Sequence, residues 1–170
     1  AGPEVLFALH SLLDRHRKLE LPNGEVLSLR EDTYIFGTMN PTSLRDYAGT
    51  QSLNKAFADR WVIWDKPFPN KEQLDAIFEK RYPKLQKEYR ELIIKLATEI
   101  NNSFMSDDIS INIETPMSLR TIVERIPIGL DVYADSVDPL KDTWENFVLP
   151  HVNKEDLDHY KTLWNTIVRK

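Results

Sequence analysis

There is no cysteine anywhere in the 170 residues. Disulfides, thiolate nucleophiles and cysteine-ligated zinc are therefore excluded. Glycine is scarce, at five residues, and none of them cluster. Neither G-x-x-x-x-G-K-[ST] nor G-x-G-x-x-G occurs, so this chain alone makes no glycine-rich phosphate cradle. G-x-S-x-G is absent too, and no Ser-His-Asp order is suggested. No apolar run approaches the ~18 residues of a membrane helix, and mean hydropathy is −0.45. No basic-then-apolar leader is present. Basic charge is not in excess: the net charge is −5 and the pI about 5.4, which argues against a dedicated nucleic-acid surface. What is there is 41% hydrophobic and 29% charged. That is an ordinary globular composition, long enough for one full domain or two small ones.

Along the chain, Val5, Leu6, Ala8, Leu9, Leu12 and Leu13 form one apolar stripe at helical period, with Pro3 and Glu4 in the first turn. The chain thus opens inside or at the start of an amphipathic helix with no strand before it, the pattern of a fragment. Lys18–Leu21 and Glu25–Leu29 flank Asn23-Gly24, a strong hairpin signal. Tyr34–Thr38 and Trp61–Trp64 are short, apolar and rich in aromatic and β-branched residues, and both are expected as buried strands. Residues Thr42 to Thr50 read as a loop, and Leu53 to Phe57 as a helical turn or two. After Pro67 and Pro69 the texture becomes helical. Asn70 is expected to cap a helix over Lys71–Lys80. Pro83 opens a longer helix with Leu85, Tyr89, Leu92, Ile93, Leu96 and Ile100 on one face. Asn101–Asp108 reads as a polar break, and Ile109, Ile111 and Ile113 as an extended segment. Further helices are expected over Thr115–Ile126, Asp142–Val148 and Lys154–Val168.

Three polar positions stand out. Asn40 lies just past an expected strand, at the edge where α/β sheets bind ligands; the alternative is a turn cap before Pro41. Arg60 stands at the mouth of the second expected strand, where its fork of donors suits phosphate; the alternative is a surface ion pair. Arg120, with Ser118, sits in the first turn of a helix, where an anion is favoured; the alternative is a surface pair with Glu124 at i,i+4. His10, His16, His151 and His159 have no metal-ligand spacing. Trp61, Trp64, Trp144 and Trp164 are expected in cores, since no basic residues interleave them.

In this order the pieces resemble AAA+ ATPases of the dynein-related and MoxR-like group, in particular the CbbQ/NorQ and CobS-like members. Ala1–Leu13 resembles the helix after a Walker B strand, and Lys18–Leu29 the hairpin before sensor 1. Phe36-Gly-Thr-Met-Asn-Pro41 is similar to the sensor 1 strand, with Asn40 as its residue. Tyr47–Trp61 is similar to the segment that carries the arginine finger, with Arg60 in that position. Pro116-Met-Ser-Leu-Arg120 resembles sensor 2, with Ser118 and Arg120 toward the nucleotide. The likeness covers about residues 1–126.

The resemblance implies an α/β fold: a partial P-loop NTPase core (hairpin plus two buried strands) over 1–69, then an all-α lid over 70–170. Walker A and Walker B are both missing, so the chain is expected to be a C-terminal fragment, inactive alone. ATP and Mg2+ would serve the intact parent, and none is expected to bind this chain tightly. Asn40, Arg60 and Arg120 would be the catalytic set, with Arg45 a second interface arginine. The implied partners are neighbouring subunits of a homo-oligomeric ring, a hexamer, and an unidentified client protein. The expected setting is cytoplasmic. No membrane contact is expected, and Glu20 and Glu25 deny the hairpin a basic face for nucleic acid. The other reading is a non-enzymatic α/β-plus-helical interaction domain, with the three polar residues on separate surfaces.

Overall fold

The computed structural model describes residues 9–39, 54–106 and 113–168. The chain divides into two compact units, Ala1–Lys66 and Pro67–Lys170.

In the first unit, α1 is a short helix, His10–Leu13. Strands β1 (Lys18–Glu20) and β2 (Val26–Ser28) pair antiparallel with Leu19 opposite Leu27. Gly24 closes the turn at φ +83°, a left-handed conformation that a Cβ would strain. The Asn23 side-chain oxygen accepts the Glu25 N–H at 3.0 Å, the local bond that makes asparagine a turn former. The Arg17 guanidinium donates to the Thr33 carbonyl and so ties the chain beyond the hairpin back to its start. Helix α2 (Lys55–Ala58) is capped by Asn54, whose side chain accepts the Ala56 N–H at 2.8 Å. Its Phe57 is buried between the rings of His10 and Trp61, at 5.2 and 5.8 Å.

Two segments of this unit differ from expectation. Tyr34–Thr38 and Trp61–Trp64 are not strands and, among the described residues, pair with nothing in a ladder. Phe36 is 90% exposed, Val62 99% and Trp64 92%. Trp61 alone turns inward, lying 3.5 Å from where a Cβ on Gly37 would be. β-propensity is a statement about fit to a half-buried pleated surface. Apolar residues on both faces need neighbours on both sides, and among the described residues no adjacent strand is supplied.

The second unit is helical. Helix α3 (Lys71–Arg81) begins with a full capping box: Asn70 accepts the Gln73 N–H at 2.9 Å and Gln73 accepts the Asn70 N–H at 3.0 Å. Helix α4 (Lys87–Phe104) packs on α3 and, further on, against α7 (Leu157–Ile167). Its buried stripe is Ile93, Leu96, Ala97, Ile100 and Phe104. The expected polar break at Asn101 does not occur. The stripe's period carries the helix through Phe104, and Asn101 falls on the buried face. Residues 113–118 are irregular, with Ile113 and Met117 buried.

A continuous helix over residues 119–132 follows, longer than the stretch ending at Ile126 that was expected. It contains a π-helical stretch, Thr121–Arg125, and then α5 (Ile126–Val132). The irregularity has a cause. Pro127 has no N–H for the Val123 carbonyl one turn earlier, and the Tyr82 hydroxyl donates to that carbonyl instead, at 2.6 Å. Then come α6 (Pro139–Thr143), a π-helical turn Trp144–Val148 and two short 3-10 turns before α7. Trp144 stacks on Trp164 at 4.9 Å and on Tyr160 at 5.9 Å. Of the four tryptophans, Trp144 and Trp164 are core and Trp64 is not. Among the described residues, no helix is long and apolar enough to cross a membrane.

Candidate functional site

Arg60 follows the end of α2, where the chain leaves the helix and enters the exposed 61–64 segment. Its Nε donates to Asp14 Oδ1 at 2.7 Å, and its guanidinium also donates to the Ala56 carbonyl. Both side chains of the pair are partly exposed. The hydrogen bond from Arg60 holds the Asp14 carboxyl below its ordinary value, and the guanidinium charge adds to this. Arg60 is thus directed by a carboxylate of α1's C-cap, which matches the ion-pair alternative. Asp14 occupies the Nε donor, and a phosphate would have to use the remaining guanidinium N–H groups or replace Asp14.

Arg120 lies in the second unit. Its side chain is 76% exposed, and its Nε stands 3.9 Å from Glu124, the i,i+4 neighbour. At that length and exposure the pair is weak and leaves the donors accessible. Ser118 makes a local bond. Its hydroxyl accepts the Thr121 N–H at 3.1 Å and so caps the helix. Asn40 and Arg45 lie outside the described residues. Arg60 and Arg120 belong to different units, so each is characterised within its own.

The surroundings of Arg120 hold polar residues the sequence reading passed over. Asn101 on α4 bonds both backbone groups of Met117, and the buried Asp156 accepts the N–H groups of Glu114 and Thr115. Tyr160 on α7 donates to the Thr115 carbonyl at 2.8 Å. Burial raises the Tyr160 hydroxyl well above its ordinary value, with the Asp156 charge adding to it. The available signal was a polar residue in register with an apolar stripe: Asn101 is four residues on from Ala97 and eight from Ile93.

An accessible guanidinium at Arg120 suits a terminal phosphate. Among the described residues no three or more histidine or acidic side chains stand together as ligands for a cation. The Arg120 side chain fits the phosphate end of ATP, and Mg2+ beside such phosphates takes one or two carboxylates rather than a full protein cage. An open groove of about 590 Å3 between Tyr82, Leu85, Tyr89, Pro127 and Leu130 includes neither Ser118 nor Arg120 in its wall.

Comparison with known proteins shows distant likenesses to two longer proteins among others. The chain is 28% identical over 138 residues to midasin of Giardia intestinalis, a match covering 75% of this chain and 3% of midasin. It is 28% identical over 131 residues to the aerobic cobaltochelatase subunit CobS of a Sinorhizobium species, covering 71% of this chain and 38% of that protein. Together they support a general AAA+ ATPase relationship. The chain spans well under half the length of either relative. No family model matches it, and no solved structure does.

Proposed function

We propose that this chain is the sensor and lid portion of an AAA+ ATPase of the MoxR-like kind. The observation that carries the reading is the state of the two apolar segments, 34–38 and 61–64. Both are sequences suited to the inside of a sheet, and both expose large side chains to water. Contiguous apolar surface of that kind marks a covered face. An α/β core completed by further strands would cover it, and Asn40 and Arg60 would then stand at that core's edge. The partial P-loop core over 1–69 and the helical lid over 70–170 belong to this reading.

The chemistry would be phosphoryl transfer, in which positioning and charge stabilisation do most of the work. Asn40 would orient the attacking water. Arg60 would leave Asp14 and extend to the terminal phosphate bound by a neighbouring subunit of a hexameric ring. Arg120 would bond that phosphate from the lid, with Ser118 capping the helix that carries it. ATP and Mg2+ would serve the longer protein, whose work is to remodel or activate a client in the cytoplasm. The deciding measurement is ATP turnover of the longer protein carrying Arg60→Ala, expected to fall by about 10³-fold or more if Arg60 acts as a finger. Turnover equal to that of the unaltered protein removes the assignment.

One observation favours the non-enzymatic alternative: the guanidinium of Arg60 already has a carboxylate partner at 2.7 Å. On that reading Arg60→Ala alters only the local fold of the first unit.

A further inference from the structure

Arg120 is three residues beyond Met117, and the described residues 113–118 before that helix form no ladder to fix it. It is fixed by side chains instead. Asn101 is buried on α4. Its Nδ2 donates to the Met117 carbonyl at 3.1 Å and its Oδ1 accepts the Met117 N–H at 2.8 Å. The whole amide is thus spent on one residue, and only one orientation of it satisfies both bonds. The Met117 side chain is fully buried beside it. Upstream, both oxygens of the buried Asp156 accept the Glu114 N–H at 3.1 and 3.0 Å, and one of them accepts the Thr115 N–H at 2.6 Å. Downstream, the Tyr82 hydroxyl holds the Val123 carbonyl. Arg120 is therefore bracketed by bonds to the core on both sides, while its own guanidinium is exposed.

We propose that Asn101 is a positioning residue for Arg120: its two bonds to Met117 set where the guanidinium projects and tie that position to helix α4. This rests on the reading of Arg120 as a sensor of the terminal phosphate. The argument is one of distance. At no more than ~3.6 Å per residue, Arg120 is within about 11 Å along the chain of the clamped backbone. A shift at Met117 therefore reaches Arg120 with little room to be absorbed. A misplacement of about 1 Å from a change away from the chemistry can cost ~10²-fold in rate. The converse also holds: a phosphate that draws Arg120 toward itself pulls on α4 through a buried amide.

The test is a double-mutant cycle in the longer protein, with Asn101→Ala and Arg120→Ala singly and together. The readouts are ATP turnover, ATP affinity and ADP affinity. Asn101→Ala is expected to lower turnover by about tenfold or more and to weaken ATP while sparing ADP, which has no terminal phosphate for Arg120. On the Arg120→Ala background it is expected to change neither, because its only route is through Arg120. Additive losses, or an ADP affinity that falls in step with ATP, would make Asn101 merely structural and overturn the proposal. Impaired Arg120→Ala beside unimpaired Asn101→Ala overturns it while leaving the sensor reading intact. Unimpaired Arg120→Ala removes the sensor reading and the positioning role with it. Should Asn101→Ala fail to fold, Asn101→Asp keeps the acceptor for the Met117 N–H and loses the donor to its carbonyl. It is run through the same cycle, with a loss expected when Arg120 is present and none on the Arg120→Ala background, and unaltered turnover overturns the proposal.

Discussion

Tyr82 is the residue whose role is least apparent from its neighbours in sequence. Its ring contacts Phe78 at 6.2 Å, and its hydroxyl satisfies a carbonyl 41 residues away. Tyr82→Phe keeps the ring and removes the hydroxyl donor to the Val123 carbonyl, which Pro127 cannot replace. A loss of about 1–3 kcal/mol of stability is expected, read from chemical denaturation at fixed pH. Tyr160 makes a different prediction. Its folded-state pKa is raised, so its contribution is fully present below the unfolded value of ~10 and is lost as pH rises beyond it. Stability of the helical unit should therefore fall above about pH 10, and the Tyr160→Phe variant should lose that part of the fall. Thermal melts at a series of alkaline pH values measure it. For Asp14 the direction is opposite: a lowered carboxyl favours the folded state above its unfolded value and ceases to do so as acid protonates it. That pair is half exposed, so salt should weaken the effect.

At the scale of elements, the packing of α5 on α6 and the turn after it depends on Gly129. A Cβ there would sit 2.5 Å from Thr143 Cγ2 and 3.1 Å from Phe147 Cδ2. Alanine is the better helix former by about 1 kcal/mol, yet overpacking of this kind costs ~1–3 kcal/mol. Gly129→Ala is expected to lower the melting temperature, and Thr143→Ala in the same chain should restore part of it by removing the clashing methyl. Equal melting of the parent and Gly129→Ala would show that the two elements separate without cost. The elements that were legible in advance are those built from adjacent residues. The Asn23-Gly24 turn declares its hairpin, and Asn70 with Gln73 three residues later declares the start of α3. The end of α4 was misjudged because Asn101 is polar by type and buried by position. The strands at 34–38 and 61–64 were misjudged because their composition describes a sheet interior, and composition does not supply neighbouring strands.

For the whole molecule, the two units differ in what holds them. Pro67–Lys170 contains nearly all of the described core, from Leu74 and Phe78 to Tyr160 and Trp164. Among the described residues of the first unit, Phe57 alone is buried and apolar. Residues 67–170 are therefore expected to fold without the rest and to melt in one cooperative transition followed by circular dichroism. Residues 1–66 alone are expected to show none and to bind a dye for exposed apolar surface. A cooperative melt of 1–66 would mean that its apolar segments are already covered, and would weaken the proposed core. Of the candidate site, the accessible guanidinium of Arg120 and its i,i+4 neighbour could be read in advance. The Asp14 partner of Arg60 could not, because it lies 46 residues away.

Local chemistry along the chain was enough to set the hairpin turn, the capped helix starts and the absence of a phosphate loop, since each depends on residues within about four positions of one another. Folding in three dimensions decided that Asn101 and Asp156 would be buried as clamps, that Tyr82 would serve a carbonyl across the unit, and that Arg60 would meet Asp14. Those outcomes rest on partners 16 to 46 residues apart, and a buried polar group is tolerable only where such a partner arrives to satisfy it.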